Sequence, residues 1–365
     1  MLSDINLKKD AMRKIKLGFI GAGFNGQIGH LDSFKKIKNC DFVALAEDRD
    51  KLRNLVKKKY KFKKAYKTHY ELIEKEKELD GVIIVTKRTM TAPIAYDFIK
   101  KNFNVFTEKP MASSYAQAKK LVKLSNNKKV LYKIGYNKIF DPVVWKAKNL
   151  FDNQKITKGL GKIIMIKSHR LSGSGYPKKP NYIDTNEKNI KSEPSWPSAP
   201  SWMKKKYFKD YEKYLNLYSH NINMIRFFLG DQLTVKSANL NDDYISSVLL
   251  NYKKSIPVLL TTGFFTKEGW DDYLQIFYEK GYLKINFPPQ HITGKYTNFL
   301  FHRVNAGKKN IIHKSNKTWS FDLQAKSFIK DLESNKIMYN EGSDILKDML
   351  LVENIWKKFI YEQPR

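Results

Sequence analysis

Lys14 to Ile37 reads KIKLGFIGAGFNGQIGHLDSFKKI. KIKLGFIGAG is an apolar strand run that ends in glycines, and NGQIGHLDSFKKI follows as a helix. At the junction stands Gly21-Ala22-Gly23-Phe24-Asn25-Gly26, a G-x-G-x-x-G directly after a strand and opening a helix. Such glycines permit a tight turn, close approach of backbone to a pyrophosphate, and close helix–strand packing. The helix N-terminus adds amide donors and a positive dipole end for the anion. Gly21, Gly23, Phe24, Asn25 and Gly26 are therefore the candidate phosphate-binding residues. A tight structural turn can also use glycine, so the surroundings decide.

Downstream of this turn the alternation repeats. CDFVALAE (40–47) reads as a strand and DKLRNLVKKKY as a helix. DGVIIVT is the next strand and APIAYDFIKKN the next helix. FNVFTE is followed by SYAQAKKLVKLSNN, a helix opened by the capping pair Ser114 and Gln117, and VLYKIGYN is a further strand. Strands and helices alternating at this length predict a doubly wound parallel sheet, a Rossmann domain over residues 12–138. Glu47 ends the second strand, where an acid accepts hydrogen bonds from an adenosine ribose. A carboxylate there repels a 2′-phosphate and favours NAD over NADP, although Arg49 stands two residues on.

Beyond Lys138 the pattern changes. The stretch from Leu171 to Trp202, rich in Ser, Gly and Pro, reads as a long functional loop. A helix is expected over about Leu215–Leu229. Five strand candidates follow without helices between them: LTVKSANL, YISSVLLNY, PVLLTTGFF, DYLQIFYEK and GYLKINF. Two helices near the end complete an α+β domain (139–365) with an open, largely antiparallel sheet.

The chain has 365 residues, 42% of them hydrophobic, enough for two packed cores. Its formal net charge is +32, but only eight of its 68 basic residues are Arg and the lysines are scattered through every segment. Arg is the preferred base and phosphate reader, so specific nucleic-acid binding is not expected. No apolar run approaches the ~18 residues of a membrane span, and no signal peptide is read at the N-terminus. The single cysteine, Cys40, fits a reducing compartment, so a cytoplasmic protein is expected. The seven histidines never form H-x-x-x-H and no Cys cluster exists, so no metal site is implied.

Two further stretches carry chemistry. In NVFTEKPMASS (104–114), Glu108-Lys109-Pro110 stands at the carboxyl end of a strand, where open parallel sheets bind ligands. A Lys ammonium there can hold or polarise a substrate oxygen while Pro fixes the turn. In YLNLYSHNINMIRFFLGD (214–231), Asn216 and His220 lie four apart on one helix face. His is the usual base for a hydroxyl proton during hydride transfer. His169, Arg170 and the Trp196–Trp202 segment are candidates for the substrate loop, Arg170 and Trp202 as contacts; Arg170 could hold a carboxylate or phosphate, or pair with an acid.

The order GAGFNG, ALAED, VFTEKPMA, GYNKIFDP and SHNINMIRFFLG resembles the Gfo/Idh/MocA oxidoreductases, which include glucose-fructose oxidoreductase and inositol dehydrogenases. The resemblance implies an active site between the two domains and a hydride exchanged between NAD or NADP and a sugar, polyol or sugar derivative. It implies Lys109 as the active-site lysine, His220 as the acid/base histidine, and Thr86 and Asn137 along the cofactor cleft. It also implies a homodimer or homotetramer joined through the second sheet. Three departures stand out, one of them Thr86-Lys87-Arg88 in place of the frequent Thr-Pro-Asn after the third strand, which changes the wall near the nicotinamide. Asn216 replaces the Asp that commonly orients and charges the histidine, and Tyr218 replaces a small residue, reshaping the pocket. Tyr214 or Tyr218 then becomes an alternative proton carrier. Two other readings stay open: glycoside cleavage with an internally recycled NAD, and a dinucleotide-binding protein that has lost catalysis.

Overall fold

The computed structural model describes residues 13–173, 182–188, 196–240, 245–264, 269–292, 295–304 and 318–362, together with the backbone of 311–314. Six strands form the first sheet: β1 (Ile15–Ile20), β2 (Cys40–Ala46), β3 (Lys64–Tyr66), β4 (Gly81–Ile84), β5 (Val105–Thr107) and β6 (Tyr132–Ile134). All pair in parallel, in the order β3-β2-β1-β4-β5-β6. The order reverses beside β1, which opens a crevice at the carboxyl ends of β1 and β4. The chain after the glycines forms a π-helical turn (Gly26–Leu31) that continues as α1 (Asp32–Lys35). Then come α2 (Asp50–Tyr60), α3 (His69–Lys75), α4 (Arg88–Lys100) and α5 (Tyr115–Lys128). The capping bond expected at α5 forms, Ser114 Oγ accepting from Gln117 N at 3.2 Å.

After α6 (Pro142–Asp152) and α7 (Gln154–Lys158), the second sheet begins with β7 (Ile163–Ser172). Helix α8 (Phe208–Leu229) starts seven residues before the expected point, because Tyr207, Tyr211 and Tyr214 pack edge-on around Trp356. The five expected strands form β8 (Leu233–Asn239), β9 (Ile245–Tyr252), β10 (Ile256–Phe264), β11 (Trp270–Tyr278) and β12 (Gly281–Asn286). β13 (Asn298–Arg303) and β14 (Ile311–Lys314) extend the sheet, whose order is β14-β13-β12-β11-β7-β10-β9-β8. It is antiparallel except where β7 pairs in parallel with β10. Of the expected long loop, Leu171 and Ser172 end β7, residues 182–188 and 196–202 carry neither helix nor strand, and 174–181 and 189–195 lie outside the described residues.

The sequence boundary at 138/139 falls between the sheets, yet the tail ties them together. In α9 (Ser320–Ser334), Ala325, Phe328 and Ile329 enter the first sheet's core beside Phe19, Phe34 and Phe106. Burying one such phenylalanine contributes roughly 1.5–3 kcal/mol. In α10 (Gly342–Tyr361), Ile345, Met349, Val352 and Trp356 join the core shared by α8 and the second sheet. One face of that sheet is thereby covered, and among the described residues no helix packs on the other. No helix among the described residues is long and apolar enough to cross a membrane.

Candidate functional site

The glycine loop separates two jobs. Gly21 has φ +87°, and a Cβ there would stand 2.3 Å from Val85 O; one on Gly26 would stand 2.9 Å from Gly21 O. Both glycines are demanded by the chain's own packing. Gly23 is not, since its nearest neighbour to an added Cβ is Arg49 Nη2 at 3.9 Å. Its bare Cα instead opens onto a cleft of ≈ 890 Å³. The cleft runs from Gly21, Gly23, Phe24, Asn25 and Gly26 past Glu47, Arg49 and Thr86 to Glu108, Lys109 and Asn216. Its size suits an extended ligand. A glycine loop, a space held open by Gly23 and an acid after β2 together fit a dinucleotide.

Glu47 is fully engaged. Its Oε2 accepts from Ala22 N at 2.7 Å and Arg49 Nη2 at 3.0 Å; Oε1 accepts from Arg49 Nε at 2.7 Å and Arg49 N at 3.2 Å. Burial would raise the carboxyl's pKa, but the Arg49 hydrogen bonds and charge hold it below the ordinary carboxylate range. The second half of the chain reaches the same end of the cleft. Ile183 exchanges two hydrogen bonds with the Gln27 amide (3.0 and 2.9 Å), Tyr182 stands edge-on to Phe24, and Glu187 accepts from the first amides of α2.

At the other end, Lys109 Nζ donates to Asn216 O at 2.6 Å and lies 3.4 Å from Asn216 Oδ1. Burial pushes its pKa down to about 8; Glu108 opposes this, while Arg170, Arg88 and Lys138 add to it. The peptide bond into buried Pro110 is cis. Glu108 Oε1 accepts from His30 Nε2 at 2.8 Å and Oε2 from Lys109 N at 3.1 Å. These bonds overcome its burial and keep it ionised.

His220 lies one turn beyond Asn216 on α8, buried, with Nδ1 3.5 Å from Gln290 Nε2 and its ring edge-on to Tyr136. Burial, then the charges of Lys109, Arg170 and Lys138, hold it well below the ordinary histidine range. The imidazole is therefore neutral at neutral pH. Tyr218 is buried against Tyr214, and burial raises its hydroxyl to about 12. Arg170 on β7 faces the same interior, with Asp272 opposite it on β11.

Three expected positions fall elsewhere. Asn137 does not line the cleft; it is buried in a turn, donating from Nδ2 to Ser320 Oγ at 3.0 Å. Trp202 lies against α10, its indole N–H donating to Glu353 Oε2 at 3.0 Å. His169, next to Arg170, points to the opposite face of β7 and stacks on Tyr273. Arg88, expected in the wall near the nicotinamide, lines the cleft, and the structure adds two features that the local sequence did not mark, His30 behind Glu108 and the buried pair Lys138–Asp272 at 2.7 Å. Each of these two depends on a partner dozens of residues away, so no local pattern marks it.

Residues 15–136 match the profile of the oxidoreductase family with NAD-binding Rossmann fold, GFO_IDH_MocA. The chain is 30% identical over 145 residues to myo-inositol 2-dehydrogenase of Thermotoga maritima, covering 40% of this chain and 42% of that one. It is 25% identical over 169 residues to inositol 2-dehydrogenase of Salmonella typhimurium, covering 45% and 48%. The matched stretch thus spans less than half of either relative. Among solved structures, a 3-ketoreductase from Actinomadura kijaniata in complex with NADP and TDP-benzene superposes with a TM-score of 0.73 at 15% identity, over 95% of this chain and 98% of that one. A probable dehydrogenase from Thermotoga maritima gives 0.69 at 18% identity, over 96% and 98%. These two likenesses are of fold.

Proposed function

We propose that this chain, whose residues 15–136 match the profile of the Gfo/Idh/MocA oxidoreductases, exchanges a hydride between a nicotinamide and the CH–OH or carbonyl carbon of a sugar, polyol or sugar derivative. One observation carries the reading: at the inner end of the dinucleotide cleft, Lys109 is seated on α8 one turn from His220. When bound, the dinucleotide supplies or accepts the hydride. The protein's task is then to hold the reacting oxygen and move its proton. The Lys109 ammonium donates a hydrogen bond to that oxygen. Its pKa of about 8 lets it give or take the proton near neutral pH, which suits a general acid or base. His220, neutral and without a carboxylate partner among the described residues, accepts a hydrogen bond or a proton but is a weak base by itself. Asn216 holds Lys109 rather than charging His220.

The relatives named for inositol act on a polyol, which supports this substrate class. The preferred coenzyme is NAD, with NADP within reach. The Glu47–Arg49 pair is close to neutral, so it repels a 2′-phosphate little, and Arg49 can turn toward one. The uncovered face of the second sheet joins copies into a homo-oligomer, and the enzyme works in the cytoplasm on a small carbohydrate.

The test is absorbance at the nicotinamide band with a panel of sugars, polyols and their ketones. Lys109→Ala is expected to lower kcat by ~10² or more, the scale of a positioned acid/base, and His220→Ala by less. Turnover by Lys109→Ala within ~10-fold of wild type contradicts the assignment. Arg49→Ala is expected to weaken NADPH by ~10-fold or more, the scale of a charge-assisted bond, and NADH little.

A further inference from the structure

Arg170 is 3% exposed, and its Nε and Nη1 have no hydrogen-bond partner among the described residues. Its nearest acid is Asp272, directly across the β7–β11 pair, but Nε stands 3.8 Å from Asp272 Oδ2, too far for a hydrogen bond. That oxygen is already taken by Lys138 Nζ at 2.7 Å, whose ammonium also lies 4.2 Å over the Phe287 ring. The guanidinium is fixed 5.0 Å over the Trp270 ring. Two buried cations therefore share one carboxylate, and the other carboxylate of the site, Glu108, is committed to His30 and the Lys109 amide. A buried guanidinium without full hydrogen bonding is strongly unfavourable. The Arg170–Lys138 pair, with Asp272 between them, is one negative charge short.

We propose that the substrate carries a carboxylate, as a sugar acid does, and that Arg170 receives it with Lys138 alongside. This rests on the oxidoreductase reading and narrows its substrate. A guanidinium offers two parallel N–H donors that match a carboxylate's two oxygens. The missing charge is a single one, which fits a monoanion better than a phosphate ester dianion. Lys138, like Lys109, is pushed down to about 8 by burial, and a bound anion relieves both.

The experiment is calorimetric titration of the dinucleotide-loaded protein with matched ligands: a neutral hexose, the corresponding hexuronate, and the hexose 6-phosphate. The hexuronate is expected to bind at least ~10-fold more tightly than the hexose, the scale of one charge-assisted hydrogen bond. Arg170→Gln should erase that difference while leaving the melting temperature and dinucleotide affinity near wild type; Arg170→Lys should keep part of it. Should Arg170→Gln not fold, the wild-type comparison and Arg170→Lys decide. Equal binding of acid and neutral sugar, tighter binding of the phosphate, or no binding of the hexuronate overturns the proposal. Failure of the dinucleotide to load is a separate result that overturns the oxidoreductase reading; the three ligands are then titrated into the protein alone.

Discussion

Lys109 ties the site's geometry to its chemistry. An ammonium held on a helix carbonyl, with its pKa lowered to about 8, is protonated below that pH and neutral above it. In the reducing direction the oxygen must receive a proton, so kcat/KM is expected to fall as pH rises through about 8. Lys109→Met should remove that alkaline limb along with most of the rate; an unchanged limb in the variant would assign it to another group. That Lys109 stands at a strand end and His220 on a helix face one turn from Asn216 was legible from spacing, while the roles proposed for them came with the resemblance. Asn137 and Trp202 were placed by resemblance and loop membership, and neither fixes where a side chain points. Asn137 is drawn toward α9 by Ser320, and Trp202 toward α10 by Glu353, partners about 183 and 151 residues away.

Among the elements, the glycine loop makes the sharpest distinction. Gly21→Ala forces a left-handed backbone and a clash with Val85 O, so a drop in melting temperature is expected, from at least ~1 kcal/mol of strain. Gly23→Ala meets no protein atom closer than 3.9 Å, so its melting temperature should match wild type while its dinucleotide affinity falls. Thermal melts with and without NADH separate the two, and equal dinucleotide stabilisation of Gly23→Ala and wild type would place the ligand elsewhere. The first sheet was legible because its strands are short apolar runs separated by helices. β7 was not. Its covered positions are Ile166, Ser168, Arg170 and Ser172, so the period-2 pattern is present but carried by polar residues. Asn221 Nδ2 donates to Ser168 Oγ, and Arg170 belongs to the site, which is why polar groups are tolerated there. β3 was not legible either: of its three residues only Tyr66 is buried, whereas β5 and β6, equally short, are buried throughout.

Across the whole molecule, the two sheets take different surfaces. On the second sheet the paired rows Leu249–Leu259–Lys167–Gln275–Lys284 and Phe277–Tyr282–His302 share the face opposite α8 and α10. Apolar side chains such as Leu249 remain exposed there, as expected of a surface that meets a second copy. Leu259→Asp is expected to shift sedimentation toward the monomer without unfolding the chain; an unchanged sedimentation coefficient would remove this face from the assembly. The second sheet's strands could be read from the sequence, but not which face the tail covers. That depends on α9 and α10 returning over 180 residues to the first sheet's side. The chemistry of the whole site requires a dinucleotide in the long cleft between Gly23 and Lys109. Calorimetric titration of the purified protein with NADH and NADPH tests that requirement most directly. One site per chain is expected, with NADH bound at least as tightly as NADPH; no binding of either nucleotide would exclude a dinucleotide from the cleft.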